Sequence, residues 1–469
     1  MTTVRVAVIP TARPTFVVDV ARRRAEDARD TLRDLGAEVV GPGDLVMTPE
    51  DVEHAADTLQ EDVDLVVHVC ASFSDANPAL ELYADRDEPI LLWSFREPGP
   101  VGDRLWLNSL CGANLIGHAL VRAGAAVRLV YGDPDEPQVR ETLRRALGGE
   151  LPPAPDLPAG HRARADVDEV RESLDRLRGS TIGTVGDAPP GFTPSEYDPE
   201  VLERLLGLRV EPLSIDETFA RIRAVPDEEQ RAEVADATAA RPSLADLDPQ
   251  EVSRHAAVTT ALRDHSASQA VAALAVRCWP EFPSQLGVCP CSSLSRLADE
   301  GLPTQCERDV YGAATMLLLG ALGGGPTYLV DTVDLDAERN IVRVWHCGSA
   351  ATELAAEPRN ATQFVHCNRK IGVAGNFPLR TGPVVMARLT EDPEDSNRLR
   401  LLIASGESIL APNRFQGNSA DVHLDADATQ FVHGLVTGGF PHHTVLAWTD
   451  VRPALRTAAD LLGIPVIEW

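Results

Sequence analysis

The segments Gln305-Cys-Glu-Arg-Asp-Val-Tyr-Gly312 and Thr327-Tyr-Leu-Val-Asp331 carry most of the information about the fold of the last two thirds of this chain. The apolar run that starts at Glu307 predicts a helix, and Gly-Gly-Gly-Pro at 323–326 marks its end. Asp331 closes a short apolar run that predicts a buried strand. Two carboxylates at the ends of adjacent elements can face one cavity.

A third stretch, Gly438-Gly-Phe-Pro-His-His-Thr444, lies far downstream and contains two adjacent histidines. The glycines and proline indicate a turn, and the apolar residues that follow Thr444 predict a strand. His442 and His443 therefore stand where a turn enters a strand, so at least one imidazole can point inward. We ask whether these histidines meet Glu307 and Asp331.

Each candidate also has a purely structural explanation. Thr304 and Glu307 fit a capping box, in which the glutamate bonds back to the backbone at the start of a helix. Asp331 fits an acid in a turn at the end of a strand, and His346 fits a histidine packed at the end of an alternating strand. Local sequence alone leaves these alternatives open.

The composition predicts a soluble protein of two or three domains. The chain has 469 residues, of which 44% are hydrophobic and 24% charged. It contains no run of about 18 apolar residues, the length that a membrane helix needs. Its amino-terminal residues lead straight into a predicted strand without the basic and hydrophobic regions of a secretory signal, so we expect a cytoplasmic location.

The formal charge of −28 argues against nucleic acid and anionic membranes as partners, because both would be repelled. We therefore expect a small-molecule ligand in a pocket. Lys370 is the one lysine, so arginine supplies nearly all of the positive charge. A GC-rich genome and an acidic surface adapted to high salt, as in halophiles, are alternative causes of this composition.

Cysteine usage and glycine motifs limit the cofactors. Eight cysteines are too few for a disulfide scaffold in a chain of this length. Cys278, Cys289, Cys291 and Cys306 lie close enough in sequence for a zinc site, but they lack Cys-x-x-Cys pairs, so buried reduced thiols are the alternative. Neither a dinucleotide fingerprint nor a phosphate-binding loop is present, and we expect no nucleotide cofactor.

The order of predicted elements divides the chain into three parts. Residues 1–160 alternate strands and helices, as in a Rossmann-like α/β domain, and end in a Pro- and Gly-rich segment after Tyr131 that predicts a linker. Residues 161–325 predict a second α/β domain of the same kind. Residues 326–469 predict short strands of a mainly antiparallel β domain.

Several segments together resemble the L-fucose isomerase and L-arabinose isomerase superfamily, and they occur in its order. They are Ala12-Arg-Pro-Thr-Phe16, Cys278-Trp-Pro-Glu-Phe282, the run from Cys306 to Met316, Leu329-Val-Asp-Thr332, Trp345-His-Cys-Gly-Ser-Ala350 and His442-His-Thr-Val-Leu446. The resemblance implies two α/β domains, a mainly β third domain and Mn²⁺ bound between the second and third. It also implies a homo-oligomer, a trimer or hexamer.

The resemblance implies roles for particular residues. Glu307 and Asp331 match the metal-binding and catalytic carboxylates of the fucose isomerases, and His443 matches their metal-binding histidine. Arg13 matches an arginine that reaches the sugar, in those enzymes from a neighbouring subunit. His346 stands where the arabinose branch has a histidine and the fucose branch an asparagine.

Trp279 and His442 complete the residues for which the resemblance implies a contact with substrate. Because an aspartate at 331 is typical of one branch and a histidine at 346 of the other, the sequence does not define the sugar.

The chemistry explains why these residue types are needed together. Isomerisation of an aldose to a ketose, through an enediol, requires removal of a proton from C2 and delivery of a proton to C1, which two carboxylates can perform as general base and acid. Carboxylate oxygens with one imidazole suit Mn²⁺ or Mg²⁺. The sequence therefore predicts an aldose–ketose isomerase acting on a pentose, a 6-deoxyhexose or a modified hexose. The alternatives are a sugar-binding or regulatory relative without turnover and a metal-dependent hydrolase.

Overall fold

A computed structural model describes residues 3–59, 62–160 and 163–469. The amino-terminal part forms a parallel sheet in the order β2-β1-β3-β4-β5, with helices between the strands. Its elements are β1 (Arg5–Thr11), α1 (Val18–Asp34), β2 (Glu38–Val40), α2 (Pro49–Leu59), β3 (Leu65–Cys70), α3 (Asn77–Tyr83), β4 (Ile90–Ser94), α4 (Ser109–Arg122), β5 (Val127–Tyr131) and α5 (Pro137–Leu147). The strand order reverses between β1 and β3, and ligands of such sheets bind outside the carboxyl ends of the strands at that point.

The middle part forms a second parallel sheet in the order β7-β6-β8-β9. Its elements are α6 (Val167–Leu177), β6 (Thr181–Val185), α7 (Pro199–Leu206), β7 (Arg209–Leu213), α8 (Ile215–Ala224), α9 (Asp227–Ala240), α10 (Pro249–Ser268), β8 (Val271–Val276), α11 (Cys291–Asp299), β9 (Thr304–Gln305) and α12 (Val310–Ala321).

The remaining residues build a large sheet in the order β12-β13-β16-β11-β10-β17-β14-β15-β18. Its elements are β10 (Thr327–Asp336), β11 (Ile341–His346), β12 (Thr362–Phe364), β13 (Ala374–Pro378), β14 (Gly382–Asp392), β15 (Asp395–Ile409), β16 (Asn418–Leu424), α13 (Ala428–Thr437), β17 (His443–Ala447), α14 (Arg452–Leu462) and β18 (Val466–Glu468). Pairing is antiparallel except where β13 meets β16 and β15 meets β18.

The large sheet is covered on both faces, which explains the continuous apolar runs in its central strands. Along β10, Tyr328 and Val330 belong to the core shared with the amino-terminal sheet and with α4 and α13. Leu329, between them, belongs to the core shared with α12 and α14. Because successive strand residues point to opposite faces, β10 joins both cores.

The predicted class is confirmed at the level of parallel α/β sheets followed by a large, mainly antiparallel sheet. The three domain boundaries stay a prediction. None of the described helices is both long and apolar enough to cross a membrane.

Several predicted elements were wrong in detail. The segment after Tyr131 was expected to be a linker but contains α5, an amphipathic helix that begins at Pro137, a residue favoured in the first turn. The helix expected from Glu307 begins only at Val310, and the strand expected to end at Asp331 continues to Asp336.

Candidate active site

The metal-ligand candidates are placed by strands of two different sheets. Glu307 follows β9, the last strand of the second parallel sheet. Asp331 and His443 lie directly opposite each other in the antiparallel pair β10–β17. Because directly opposed residues point to the same face, this register brings the aspartate and the imidazole together.

The three predicted ligands converge on one point. His443 Nε2 lies 3.4 Å from Glu307 Oε2 and 3.4 Å from Asp331 Oδ1. Asp331 is 5% exposed and His443 1% exposed. Asp331 Oδ1 and His443 Nε2 are buried and make no hydrogen bond within the described part of the chain. Asp331 is therefore a mid-strand acid facing a cavity, and its interpretation as a turn acid was wrong.

Asp309 fixes the orientation of His443. The His443 Nδ1–H donates to Asp309 Oδ2 at 2.9 Å, because a carboxylate can only accept. Arg388 in turn binds both oxygens of Asp309, one of them at 2.8 Å. With Nδ1 bound to Asp309, Nε2 is the ring nitrogen that faces the two ligand carboxylates. This carboxylate–histidine arrangement is typical of metal sites.

The backbone at Glu307 differs from the predicted capping box. Glu307 and Arg308 both have a φ of 57°, in the left-handed region, before α12 begins. Asp309 is the residue that caps α12, accepting the N–H of Gly312 at 2.8 Å. The Glu307 carbonyl accepts a hydrogen bond from Ser195 Oγ at 2.5 Å. Its carboxylate is thus free to enter the cavity.

Two further histidines flank the ligands. His442 Nε2 lies 3.3 Å from Glu307 Oε2. His346 Nδ1 accepts the N–H of Cys347 at 2.9 Å, and burial lowers the pKa of His346 to about 3, so the ring is neutral. Its proton therefore sits on Nε2, which suits His346 to donate a hydrogen bond at this site, where its ligand atom also lies within 4.8 Å of those of Asp331 and His443.

The two carboxylates have unequal electrostatic environments. Burial raises the pKa of Asp331 to about 7, and the neighbouring Glu307 adds to the shift. Burial also opposes ionisation of Glu307, but its interactions with the neighbouring His442 and His443 outweigh burial and hold the pKa of this carboxyl well below its ordinary value. Such a pair suits one base and one acid.

The donor set fits a hard divalent cation. Burial opposes protonation of His443, but Asp309, Glu307 and Asp331 surround the ring and raise its pKa to about 10. The negative charge that keeps His443 protonated would also favour a metal cation in place of that proton. Two carboxylate oxygens and one imidazole nitrogen match the preferences of Mn²⁺ and Mg²⁺.

Arg13 and Trp279 line the same cavity as the ligands. The Trp279 Nε1–H donates to Glu307 Oε1 at 3.3 Å, and the Arg13 guanidinium lies 4.2 Å from the centre of the indole. Arg13 was expected to reach a neighbouring subunit's site, whereas this structure places it in the cavity of its own chain.

Sequence reasoning missed three residues at the site. Asp309 had a readable signal, since aspartate directly before a helical run is a preferred N-cap. Arg388 lies in the middle of β14, and its pairing with Asp309 joins distant parts of the chain. Arg369, in the segment between β12 and β13, also lines the cavity and had no signal in the sequence.

The cysteines considered as zinc ligands are buried free thiols. A hydrogen bond with Cys306, together with burial, raises the pKa of Cys278 and of Cys291. Cys291 with Cys347 and His366, and Cys306 with His346 and Cys347, also form groups that could hold a metal ion, so the reduced state of these cysteines stays a prediction.

A larger cavity, of about 360 Å³, lies beside β5 and α13 and is lined by residues such as Arg96, Tyr131 and His433. None of the predicted site residues lines it.

Comparisons relate this chain to known proteins. A family model described as L-fucose isomerase, C-terminal domain, matches residues 344–469. The sulfoquinovose isomerase of Alkalicoccus urumqiensis is 33% identical over 462 residues, which cover 98% of this chain and 98% of that protein. The sulfoquinovose isomerase of Priestia aryabhattai is 32% identical over 458 residues, 97% of each chain. Since this similarity extends along nearly the whole of both chains, the protein belongs to the fucose isomerase-like family.

Proposed function

We propose that this protein is a divalent-metal-dependent aldose–ketose isomerase whose substrate is a sulfonated aldohexose of the sulfoquinovose type. The convergence of Glu307, Asp331 and His443 on one buried point, with His443 Nε2 facing both carboxylates, carries the proposal. The relatives named as sulfoquinovose isomerases support the choice of sugar.

The residues at the site have distinct tasks in this reaction. Glu307, Asp331 and His443 would hold Mn²⁺ or Mg²⁺, which supplies a Lewis acid for the two oxygens of the open-chain sugar. Glu307, held ionised by His442 and His443, is suited to accept the proton from C2. Asp331, the second carboxylate at the site, is suited to deliver a proton to C1. His346 Nε2–H and the Trp279 indole orient the sugar and exclude water.

A test measures proton exchange at the sugar. The purified protein, loaded with Mn²⁺, is incubated with sulfoquinovose in heavy water, and NMR follows deuterium incorporation and formation of the ketose. We expect exchange with the unmodified protein and none with Glu307→Gln, because the amide cannot accept the proton. Circular dichroism and thermal melting check that the variant is folded.

Glu338→Gln is the matched control, since the same change is made on an exposed glutamate. Metal bound by the unmodified protein without exchange on any aldose would identify a sugar-binding protein instead. Full activity in Glu307→Gln would contradict the assigned base.

A further inference from the structure

Two arginines from distant parts of the chain meet on one aromatic ring in the cavity. The Arg13 guanidinium carbon lies 4.2 Å and the Arg369 carbon 5.8 Å from the centre of the Trp279 indole. Arg13 also lies 5.9 Å from the Phe192 ring. Contacts of this kind hold a guanidinium in place while leaving its N–H groups available.

Neither guanidinium makes a hydrogen bond or an ion pair within residues 3–59, 62–160 and 163–469. Other buried arginines of this chain do: Arg388 binds Asp309, and Arg241 binds Asp299 at 2.6 Å. The contrast matters because acidic residues outnumber basic ones 71 to 43, so carboxylate partners are abundant.

The acidic groups near Arg13 and Arg369 do not neutralise the positive charge of these two side chains. Burial, followed by the charge of Arg369, lowers the pKa of Arg13, while Asp75 and Glu307 act in the opposite direction. Neither acid is within ion-pair distance of Arg13, and Glu307 faces His442 and His443. Two cations held close together and partly out of water favour an anion between them.

The position of the pair matches one end of a substrate. Arg13 follows β1, its backbone N–H donates to Ser72 Oγ after β3, and it thus stands where the order of the amino-terminal sheet reverses. Trp279 separates the two arginines from the ligands, because its face stacks on Arg13 and its N–H reaches Glu307. A sugar with its carbonyl end at Glu307 and Asp331 would direct its far end to the arginines.

We propose that Arg13 and Arg369 form a receptor for a tetrahedral oxyanion on the carbon of the sugar farthest from the carbonyl, namely the sulfonate of the substrate. This inference rests on the proposed isomerase function. Planar guanidinium groups donate paired N–H bonds to such oxyanions, and each bond is stronger than one between neutral groups.

The first experiment compares substrates in Arg13→Gln and Arg369→Gln. Each variant is assayed with sulfoquinovose and with the matching sugar that lacks the sulfonate, and the Mn²⁺-loaded proteins are compared. We expect kcat/KM for the sulfonated sugar to fall about 10- to 100-fold, mainly through KM, and to fall much further than kcat/KM for the neutral sugar. Lys370→Gln is the matched control, because it removes an exposed cation next to Arg369.

Other outcomes separate the two proposals. An equal loss for both sugars would overturn the receptor while leaving the isomerase intact. A preference for a 6-phosphorylated sugar over the sulfonated one would overturn the assignment to a sulfonate. Absence of turnover and exchange in the unmodified protein with every sugar would instead overturn the proposed function.

A second measurement does not depend on folded variants or on turnover of the neutral sugar. Ethanesulfonate should inhibit the unmodified protein in competition with sulfoquinovose, whereas the uncharged ethanesulfonamide should not. Equal inhibition by both compounds, or inhibition by neither, would contradict the receptor.

Discussion

Asp309 is the residue on which the geometry of the site depends most. It caps α12, accepts the N–H of His443 and binds Arg388, so one side chain links a helix, a metal-ligand candidate and a buried cation. Arg388 is 1% exposed and Asp309 0%. Because an unpaired buried charge is costly, each partner holds the other in a single orientation.

Replacement of Asp309 by asparagine distinguishes its role as a helix cap from its roles as the partner of His443 and of Arg388. Asparagine caps a helix about as well as aspartate, but it is neutral and leaves Arg388 without a carboxylate. We expect Mn²⁺ affinity to fall about 10- to 100-fold, because His443 loses its orienting partner. We also expect a loss of about 3 kcal/mol in the free energy of unfolding. Calorimetric titration with Mn²⁺ and urea unfolding measure the two effects.

Asp427→Asn is the control, since Asp427 caps α13 by the same kind of bond, to the N–H of Gln430. Asp427→Asn should change neither the Mn²⁺ affinity nor the free energy of unfolding by comparable amounts. Unaltered Mn²⁺ affinity in Asp309→Asn would show that His443 does not depend on Asp309.

At the scale of elements, close packing of α4 against α13 joins the amino-terminal sheet to the large sheet. Gly117 in α4 allows the approach, because a Cβ added there would lie 2.5 Å from the backbone oxygen of Val436 in α13. Gly320 in α12 has no atom within 4 Å of such a Cβ. Gly117 is therefore required for close helix packing, whereas Gly320 is not.

We expect Gly117→Ala to lower the free energy of unfolding and Gly320→Ala to raise it by about 1 kcal/mol. The second value is the difference in helix propensity between glycine and alanine, whereas in the first variant the clash with main-chain atoms outweighs that gain. Urea unfolding of both variants checks the opposite signs. A stabilised Gly117→Ala would mean that α13 can move away from α4 at little cost.

At the scale of the whole molecule, the site is assembled from parts of all three sheets. Arg13 follows a strand of the first, Glu307 and Trp279 follow strands of the second, and Asp331 lies within the third. A ligand that binds across these parts can stabilise their association in addition to taking part in the reaction.

Removal of metal should therefore lower the melting temperature. Dialysis against a chelator, followed by addition of Mn²⁺ to 100 times its Kd, should restore about 2.7 kcal/mol of stability. Glu307→Gln should show a much smaller shift at the same Mn²⁺ concentration, because one ligand is missing. Differential scanning fluorimetry measures both. Equal shifts in the two proteins would place the metal elsewhere.

The expected trimer or hexamer is a separate prediction at this scale. Light scattering coupled to gel filtration would determine the number of chains per particle, and a monomer would contradict it.

The sequence predicted which residues meet at the candidate site better than it predicted the local structure around them. His443 could be identified because adjacent histidines after a Gly-Gly-Phe-Pro turn are hard to explain by packing, and the register of β10 with β17 places His443 opposite Asp331. Glu307 was a candidate for metal binding but was assigned to the wrong local structure, since the capping pattern also fits a helix start.

The partners that orient and complete the site could not be predicted. The contact between Asp309 and Arg388 spans 79 positions, and such pairings leave no periodic signal along the chain. Among the residues that the structure describes, Arg13 and Arg369 lack ion-pair partners because the fold keeps carboxylates away from them, and only the assembled structure defines that.

The left-handed backbone at Glu307 and Arg308 bears on the history of the chain. Each of these residues holds a conformation that costs about 1 kcal/mol or more outside glycine. In a descendant that had lost turnover, selection for the glutamate would end, and glycine at position 307 would relieve that cost. The strained backbone at position 307 is therefore easier to explain where the glutamate side chain is needed at the site than where it has no contact to make.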